Sequence, residues 1–322
     1  MIGKILRKAA KSAFRTIFCR HGVYVMRMGP LKGLAFRFHE LEDISPDFIL
    51  GKWERSHFEF IDSLRNTGVI PKENAIICDI GANVGVYSAW FDRLYQGRCI
   101  VFAFEPSTTV RDWLSETIAL NKCVSIRVVP FAVAEKKGNV TFYPGGHHST
   151  GSMHQPGTNA ASVTVDAIDL DSFFFDDSSH PVPHFMKIDI EGAGTHALLG
   201  MRRLVREAEP VILMDSHSVK EDAAIGSLLK ENGWSAFRLD TEKWVEDHGA
   251  TAPVENGVWG TMLLCSASKK TGVQASVDRK FEKTPFMAAT EKVIPAFERP
   301  IPRNQRPSSN GAGSDTGAFF PP

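Results

Sequence analysis

An α/β fold, with a mostly parallel sheet covered by helices on both faces, is predicted by three features of this 322-residue sequence. From residue 75 onward, short apolar runs alternate with segments of helical periodicity, the pattern of repeated strand–helix units. A glycine-containing turn, Gly81-Ala82-Asn83-Val84-Gly85, joins the first of these strands to the first of these helices. A charged run, Lys187-Ile188-Asp189-Ile190-Glu191-Gly192, closes a later strand, and ligands of open α/β sheets collect at such carboxyl ends.

Residues 1–20 carry Lys4, Arg7, Lys8, Lys11, Arg15 and Arg20, with no acidic residue before Glu40. Ile2, Ile5, Leu6, Ala9, Phe14, Ile17 and Phe18 fall between them at helical spacing. There is no continuous apolar stretch of the signal-peptide kind. Two readings stand for this helix: it packs on the domain with its basic face in water, or it rests peripherally on an anionic membrane surface.

Val23–Arg27 and Leu34–Phe38, separated by Gly29-Pro30 and Gly33, predict a hairpin. Ser56–Thr67 has helical periodicity and stops before Gly68 and Pro71. Seven strands are then predicted, at Ala75–Ile80, Cys99–Phe104, Ser125–Val129, Phe185–Ile190, Val211–Met214, Ser235–Leu239 and Trp259–Cys265. Helices are expected near Val86–Tyr95, Thr109–Asn121, Thr195–Glu207 and Val219–Asn232.

Residues 135–184 break the rhythm, and within them Gly145-Gly146, His147-His148, Gly151 and Gly157 make a polar, glycine-rich loop of the kind that carries function. His147 and His148 within it suit a solvated loop better than a metal site. After Cys265 the apolar rhythm stops, and the many prolines with glycine and serine predict a disordered tail. The expected organisation is a basic helix and hairpin over 1–55, the main domain over 56–268 and the tail over 269–322.

Hydrophobic residues at 43% and charged residues at 23% permit a sizeable core. The formal net charge of +0 gives no overall field for nucleic acid. Five cysteines include no C-x-x-C pair, which argues against structural zinc. Cys78, Cys99 and Cys265 lie in strand-like runs as core residues, and their scatter suits a reducing, cytoplasmic setting. No run reaches the length of a membrane span.

The glycine turn lets the backbone approach a ligand closely, and Glu105-Pro106 stands about twenty residues on, at the end of the next strand. An acidic side chain there can accept both ribose hydroxyls of an adenosine. Nicotinamide dinucleotides call for G-x-G-x-x-G, but Asn83 and Val86 occupy the second and third glycine positions. S-adenosylmethionine has no phosphate. Asp79 suits its cationic methionine portion, and Asn83 can hydrogen-bond it.

The ordered motifs Asp79-x-Gly81-Ala82-Asn83-x-Gly85, Glu105-Pro106, Asn121, Ala132-Val133, Thr164-Val165-Asp166 and Lys187-Ile188-Asp189-x-Glu191-Gly192 resemble the FkbM-type methyltransferase family. The resemblance runs from about Gly51 to Ser216. It implies a Rossmann-like class I methyltransferase fold with a seven-stranded sheet, and methyl transfer from S-adenosyl-L-methionine to a hydroxyl of a sugar, glycolipid or secondary metabolite. It also implies that Asp79, Gly81, Asn83, Gly85, Glu105, Pro106 and Ala132 hold the cofactor. This chain has Gly194 where the family often has an acid, and Asp215 where a glutamate is common.

Alternation along an extended strand would put Lys187, Asp189 and Glu191 on one side. Charges on a central strand are costly to bury, which favours a site over a plain ion pair. Removing the proton of an alcohol acceptor suits a histidine, so His217 or Asp189 is the expected base, with Glu191 orienting the acceptor. No metal is expected, although Asp189, Glu191 and Asp215 together would suit magnesium. The other readings are a methyltransferase-fold protein that binds S-adenosylmethionine without catalysis, and a nicotinamide-dependent oxidoreductase.

Overall fold

The computed structural model describes residues 2–39, 43–144, 151–153, 161–176, 179–239, 241–245 and 260–282. In chain order, α1 (Ile2–Phe18) precedes the strands β1 (Val23–Val25) and β2 (Ala35–Arg37), and then α2 (Pro46–Ile49) and α3 (Arg55–Thr67). There follow β3 (Ala75–Ile80), α4 (Val86–Leu94), β4 (Cys99–Phe104), α5 (Thr108–Asn121), β5 (Ile126–Val129), β6 (Ala132–Val133), β7 (Gly138–Phe142) and β8 (Val163–Ile168). The second half holds α6 (Leu170–Phe175), β9 (Phe185–Ile188), α7 (Gly194–Leu199), α8 (Arg202–Ala208), β10 (Val211–Asp215) and α9 (Val219–Asn232). It closes with β11 (Ser235–Arg238), β12 (Lys243–Trp244), β13 (Thr261–Cys265) and α10 (Ala267–Glu282).

The main sheet runs β12-β11-β13-β10-β9-β3-β4-β5. Pairs among β10, β9, β3, β4 and β5 are parallel, while β13 lies antiparallel to both β10 and β11. The seven expected strands are all present; the two-residue β12 adds a short antiparallel edge, making eight among the described residues. From β3 the chain moves outward through β4 to β5, then returns to β9 on the other side of β3. The crevice at this reversal, beyond the carboxyl ends of β3 and β9, is where open α/β sheets bind ligands.

Period-two alternation divides the strands between two cores. Ala75 and Ile77 of β3 face one core with Phe185, Val211 and Leu213; Ile76, Cys78 and Ile80 face the other with Met186, Ile188, Ile212 and Met214. Continuing the first series by two residues reaches Asp79, Lys187 and Asp215 at the rim. The sequence alternation therefore delivers a row of charges to one end of one face.

Several expectations are corrected. Residues 135–184, where the rhythm breaks, supply β7 and β8, which join β6 just before them in a separate three-stranded sheet, packed through Ala132, Ala134 and Ala167. Its exposed, polar-rich strands lack the apolar runs that reveal buried ones. His147 and His148 lie outside the described residues. The predicted helix Thr195–Glu207 is two helices, broken at Gly200-Met201, with Asp171 capping the N–H groups of Arg203 and Leu204 at 2.9 and 2.8 Å. A Cβ on Gly200 would strike the Ala134 carbonyl, so the chain needs glycine at this close approach.

The domain boundary at 268 also moves. α10 continues to Glu282 and packs on α3, with Val273 and Val277 buried. The Ser63 hydroxyl donates to the Ser276 carbonyl at 2.9 Å, and Thr67 Oγ1 meets Ser276 Oγ at 2.6 Å. Residues 283–322 lie outside the described residues.

The β1–β2 hairpin is antiparallel as expected and is pinned to the body at two points. The Asn121 carboxamide accepts from the Ala35 N–H and donates to the Ala35 carbonyl, both at 2.8 Å, imitating a strand neighbour. The Arg93 guanidinium donates to the carbonyls of Pro30 and Lys32. Among the described residues, no helix is long and apolar enough to cross a membrane.

Candidate functional site

The glycine turn is shaped by what surrounds it. Gly81 has φ +78°, and a Cβ there would collide with the Asp189 carbonyl oxygen. Gly85 has φ +84°, and its Cβ would strike Leu114 of α5. Between them Asn83 also adopts a left-handed conformation, φ 50°, which asparagine tolerates better than most residues. That conformation aims the Asn83 N–H at Glu105 Oε2, 3.1 Å away, while Ser107 N–H donates to Oε1 at 2.9 Å. Glu105 is therefore buried with its carboxylate plane set by two backbone donors. Burial pushes its pKa up, against the opposing pull of those two bonds and of Arg111. Pro106 follows it, and its carbonyl accepts from Arg111 at 2.5 Å.

Asp79 is fully buried. Its Oδ2 accepts from the Ser88 hydroxyl at 2.6 Å, and its Oδ1 has no hydrogen-bond partner among the described residues. Burial raises its pKa, while the neighbouring Lys187 ammonium and the Ser88 bond oppose the shift. Asp79 and Lys187 are register partners across β3 and β9.

Lys187 is 5% exposed and donates to Asp189 Oδ2 at 3.1 Å. Its Nζ lies 5.0 Å from the centre of the Tyr87 ring. The Tyr87 hydroxyl in turn donates to Glu54 Oε2 at 2.5 Å and sits 3.2 Å from His57 Nδ1. Burial works against the lysine's charge, but the carboxylates of Asp189, Asp79, Glu54 and Asp215 outweigh it and hold the ammonium above its ordinary range. Burial would likewise raise Asp189, yet Lys187 and then His217 hold its carboxyl below the usual value.

β9 ends at Ile188, so Asp189 and Glu191 occupy the turn beyond the strand rather than an extended continuation of it. The turn still brings Asp189 and Glu191 to His217. His217 Nε2 lies 3.5 Å from Asp189 Oδ1 and 3.8 Å from Glu191 Oε2. One ligand atom from each of the three falls within 4.8 Å of the others, close enough to share a cation. Asp215 does not join this trio: its Oδ1 accepts from the Thr261 hydroxyl on β13. Of the three acids that the sequence suggested could suit magnesium, Asp215 is thus set apart, and His217 stands with Asp189 and Glu191 instead. Burial, then repulsion from Asp189, pushes Asp215 up to about 6. Glu191 is also raised, chiefly by burial.

Ala132 is placed differently from the other predicted cofactor residues. Its side chain is buried in the small-sheet cluster with Ala134 and Ala167, leaving only its backbone for any ligand contact.

Sequence reasoning missed Glu221. It is fully buried, accepts from Gly194 N–H at 2.7 Å through Oε1 and from His217 N–H at 2.6 Å through Oε2. Its Oε2 is also 3.8 Å from His217 Nδ1. The signal was present: Ser218-x-x-Glu221 opens α9 as a capping-box pattern, and Ser218 Oγ accepts from Glu221 N–H at 3.3 Å. Here the glutamate reaches past the cap to the two preceding segments. Ser152 was likewise hidden in the glycine-rich segment; its hydroxyl donates to the Glu191 carbonyl at 2.6 Å.

A parallel sheet that reverses between β3 and β9, antiparallel β13 between β10 and β11, and a glycine turn set against an acidic strand end define a Rossmann-like methyltransferase fold. The chain belongs to the FkbM methyltransferase family: the model of the methyltransferase FkbM domain matches residues 79–245. It is similar to the hexuronic acid methyltransferase AglP of Haloferax volcanii, 25% identical over 162 residues, which make up 50% of this chain and 63% of that protein. The match therefore spans less than two thirds of that relative's length. Among solved structures, a methyltransferase FkbM from Methylobacillus flagellatus KT is 19% identical, with a TM-score of 0.41, covering 60% of this chain and 43% of the other. TYW2 of M. jannaschii in complex with AdoMet is 13% identical, with a TM-score of 0.39, covering 72% and 81%.

Proposed function

We propose that this protein transfers a methyl group from S-adenosylmethionine to a hydroxyl of a saccharide, glycolipid or secondary metabolite. The observation that carries the reading is the junction of Gly81 with Asp189. The glycine turn presses on the backbone of the residue whose side chain faces His217 Nε2 at 3.5 Å, so the cofactor loop and the acid–base pair share one rim.

The residues fit the cofactor. Glu105, locked by two backbone donors, retains lone pairs for ribose hydroxyls. Asp79 Oδ1, buried and without a hydrogen-bond partner among the described residues, is an acceptor suited to an ammonium group. Gly81 and Gly85 let the turn close against the Asp189 backbone and the Leu114 side chain, where a Cβ would collide. Asp79, Asp189, Glu191 and Asp215 outnumber Lys187, so the rim favours a cationic ligand. When bound, S-adenosylmethionine supplies an electrophilic methyl group on a sulfonium.

The chain's own part is to place the acceptor oxygen, take its proton and exclude water. His217 Nε2 is the proposed proton acceptor. The Asp189 carboxylate, with Oδ1 3.5 Å from that nitrogen, then stabilises the positive charge the imidazole gains with the proton, while Lys187 keeps Asp189 ionised. Glu191 and the Ser152 segment are positioned to hold the acceptor. The similarity to a hexuronic acid methyltransferase favours a sugar as acceptor class. A convergent base argues against a binding-only protein, and Asn83 and Val86 argue against a nicotinamide enzyme.

Transfer of labelled methyl from S-adenosylmethionine into fractionated saccharide, glycolipid and small-metabolite pools tests the proposal. Label should enter one pool with wild type and be lost in Asp79→Ala. Cofactor binding without label in any pool would overturn the catalytic reading.

A further inference from the structure

Helix α1 turns its apolar face away from the protein. At 100° per residue, Leu6, Ala9, Ala13 and Ile17 share one side of the helix. Lys8, Lys11 and Arg15, joined by Arg7, lie on the other. Phe14 is on the charged side, and it is Phe14 that packs against Tyr24 of the hairpin, with ring centres 5.3 Å apart. The helix is therefore held by the side that sequence amphipathicity would leave in water. Leu6 is 64% exposed and Ile17 71%, and Ala9 and Ala13 are exposed with them.

An apolar helical stripe of this length in water calls for a cover. The charges identify it. Arg7 and Lys8 border the stripe, Lys11 and Arg15 lie behind it, Arg20 and Arg27 follow, and no acidic residue precedes Glu40. A second copy applying the same stripe would bring two strongly basic helices together. An anionic lipid surface instead takes the apolar side chains among its acyl chains and the lysines and arginines at its headgroups. We propose that α1 docks this protein on an anionic bilayer, lying in the plane of the interface with Leu6, Ala9, Ala13 and Ile17 inserted. The inference is independent of the methyl-transfer reading, since none of these residues touches the candidate site.

The full chain should be mixed with phosphatidylglycerol-containing vesicles and with neutral phosphatidylcholine vesicles, and sedimented. We expect about tenfold or greater enrichment on the anionic vesicles, falling when salt shortens electrostatic reach. Leu6→Asp/Ile17→Asp should abolish sedimentation while leaving the thermal unfolding midpoint unchanged. Lys8→Glu/Lys11→Glu should abolish the preference for anionic lipid. Equal binding to both vesicle types, or full sedimentation of the Leu6→Asp/Ile17→Asp variant, would overturn the proposal. So would concentration-dependent dimerisation without vesicle binding, which would assign the stripe to a second copy.

Discussion

The backbone N–H of Gly194 donates to the fully buried Glu221 carboxylate at 2.7 Å, and no side chain could stand between them. A Cβ on Gly194 would crowd Met214 and come within 2.9 Å of Glu221 Oε1. The glycine that departs from the family resemblance thus makes room for an acid arriving from another element. The other Glu221 oxygen takes the His217 N–H, so one carboxylate ties the turn after Glu191 to the segment that carries the candidate base.

Glu221→Ala leaves two buried N–H groups without a partner, at about 1–3 kcal/mol each. A loss of several kcal/mol in urea unfolding is expected, with Glu221→Gln intermediate because one oxygen remains. Gly194→Ala should lose about 1–3 kcal/mol through overpacking. Wild-type stability in Glu221→Ala would show that these bonds are not holding the rim.

His217→Ala should lower kcat by about 10²–10⁴-fold, with cofactor affinity little changed. Calorimetric titration with S-adenosylmethionine separates the two effects. Full turnover in the variant would remove His217 from the mechanism.

Gly81→Ala should abolish cofactor binding, because the methyl group meets the Asp189 backbone and the left-handed φ is strained for alanine. Titration of the folded variant with S-adenosylmethionine reads this directly. Undiminished affinity would mean that the turn is not the cofactor cradle.

The raised pKa of Asp215, about 6 against an ordinary 3.8, gives stability a signed pH dependence. Between these values the folded chain is protonated at Asp215 while the unfolded chain is ionised, so folding takes up a proton. This group favours folding most fully below 3.8, and its favourable contribution is lost as pH rises through 6. Asp215→Asn keeps an acceptor for Thr261 and removes the buried charge. It should be more stable than wild type by about 1–3 kcal/mol at pH 8, with the difference vanishing near pH 4. Denaturant unfolding at the two pH values checks the sign.

The trio of Asp189, Glu191 and His217 could hold a divalent ion or move a proton, and metal removal distinguishes the two. Lys187 already donates to Asp189 Oδ2 at 3.1 Å and neutralises that carboxylate, leaving only Oδ1 toward the other two groups. Turnover should therefore survive exhaustive EDTA treatment. Activity lost with EDTA and restored by magnesium would assign the trio to metal binding.

Much of the main sheet was legible in the sequence because buried parallel strands are continuous apolar runs: Ala75–Ile80 and Cys99–Phe104 fall where the pattern puts them. The small sheet was not, since Gly138–Phe142 and Val163–Ile168 are partly exposed and polar-rich. Helix α10 escaped for a related reason: over residues 267–280, where its side chains are described, Val273 and Val277 are the only apolar residues deeply buried.

The sequence by itself determined the strand–turn–helix unit around Gly81 and Gly85, the placement of Glu105 one strand on, and the charged end of β9. These follow from short-range geometry, because period-two alternation and glycine-dependent turns act over a few residues. Tertiary structure alone decided that His217 meets Asp189 and Glu191, that Asp215 turns to Thr261, and that buried Glu221 joins Gly194 to His217. Those contacts link residues on different elements. Their distances depend on how β9, β10, β13 and α9 pack, which no local pattern specifies.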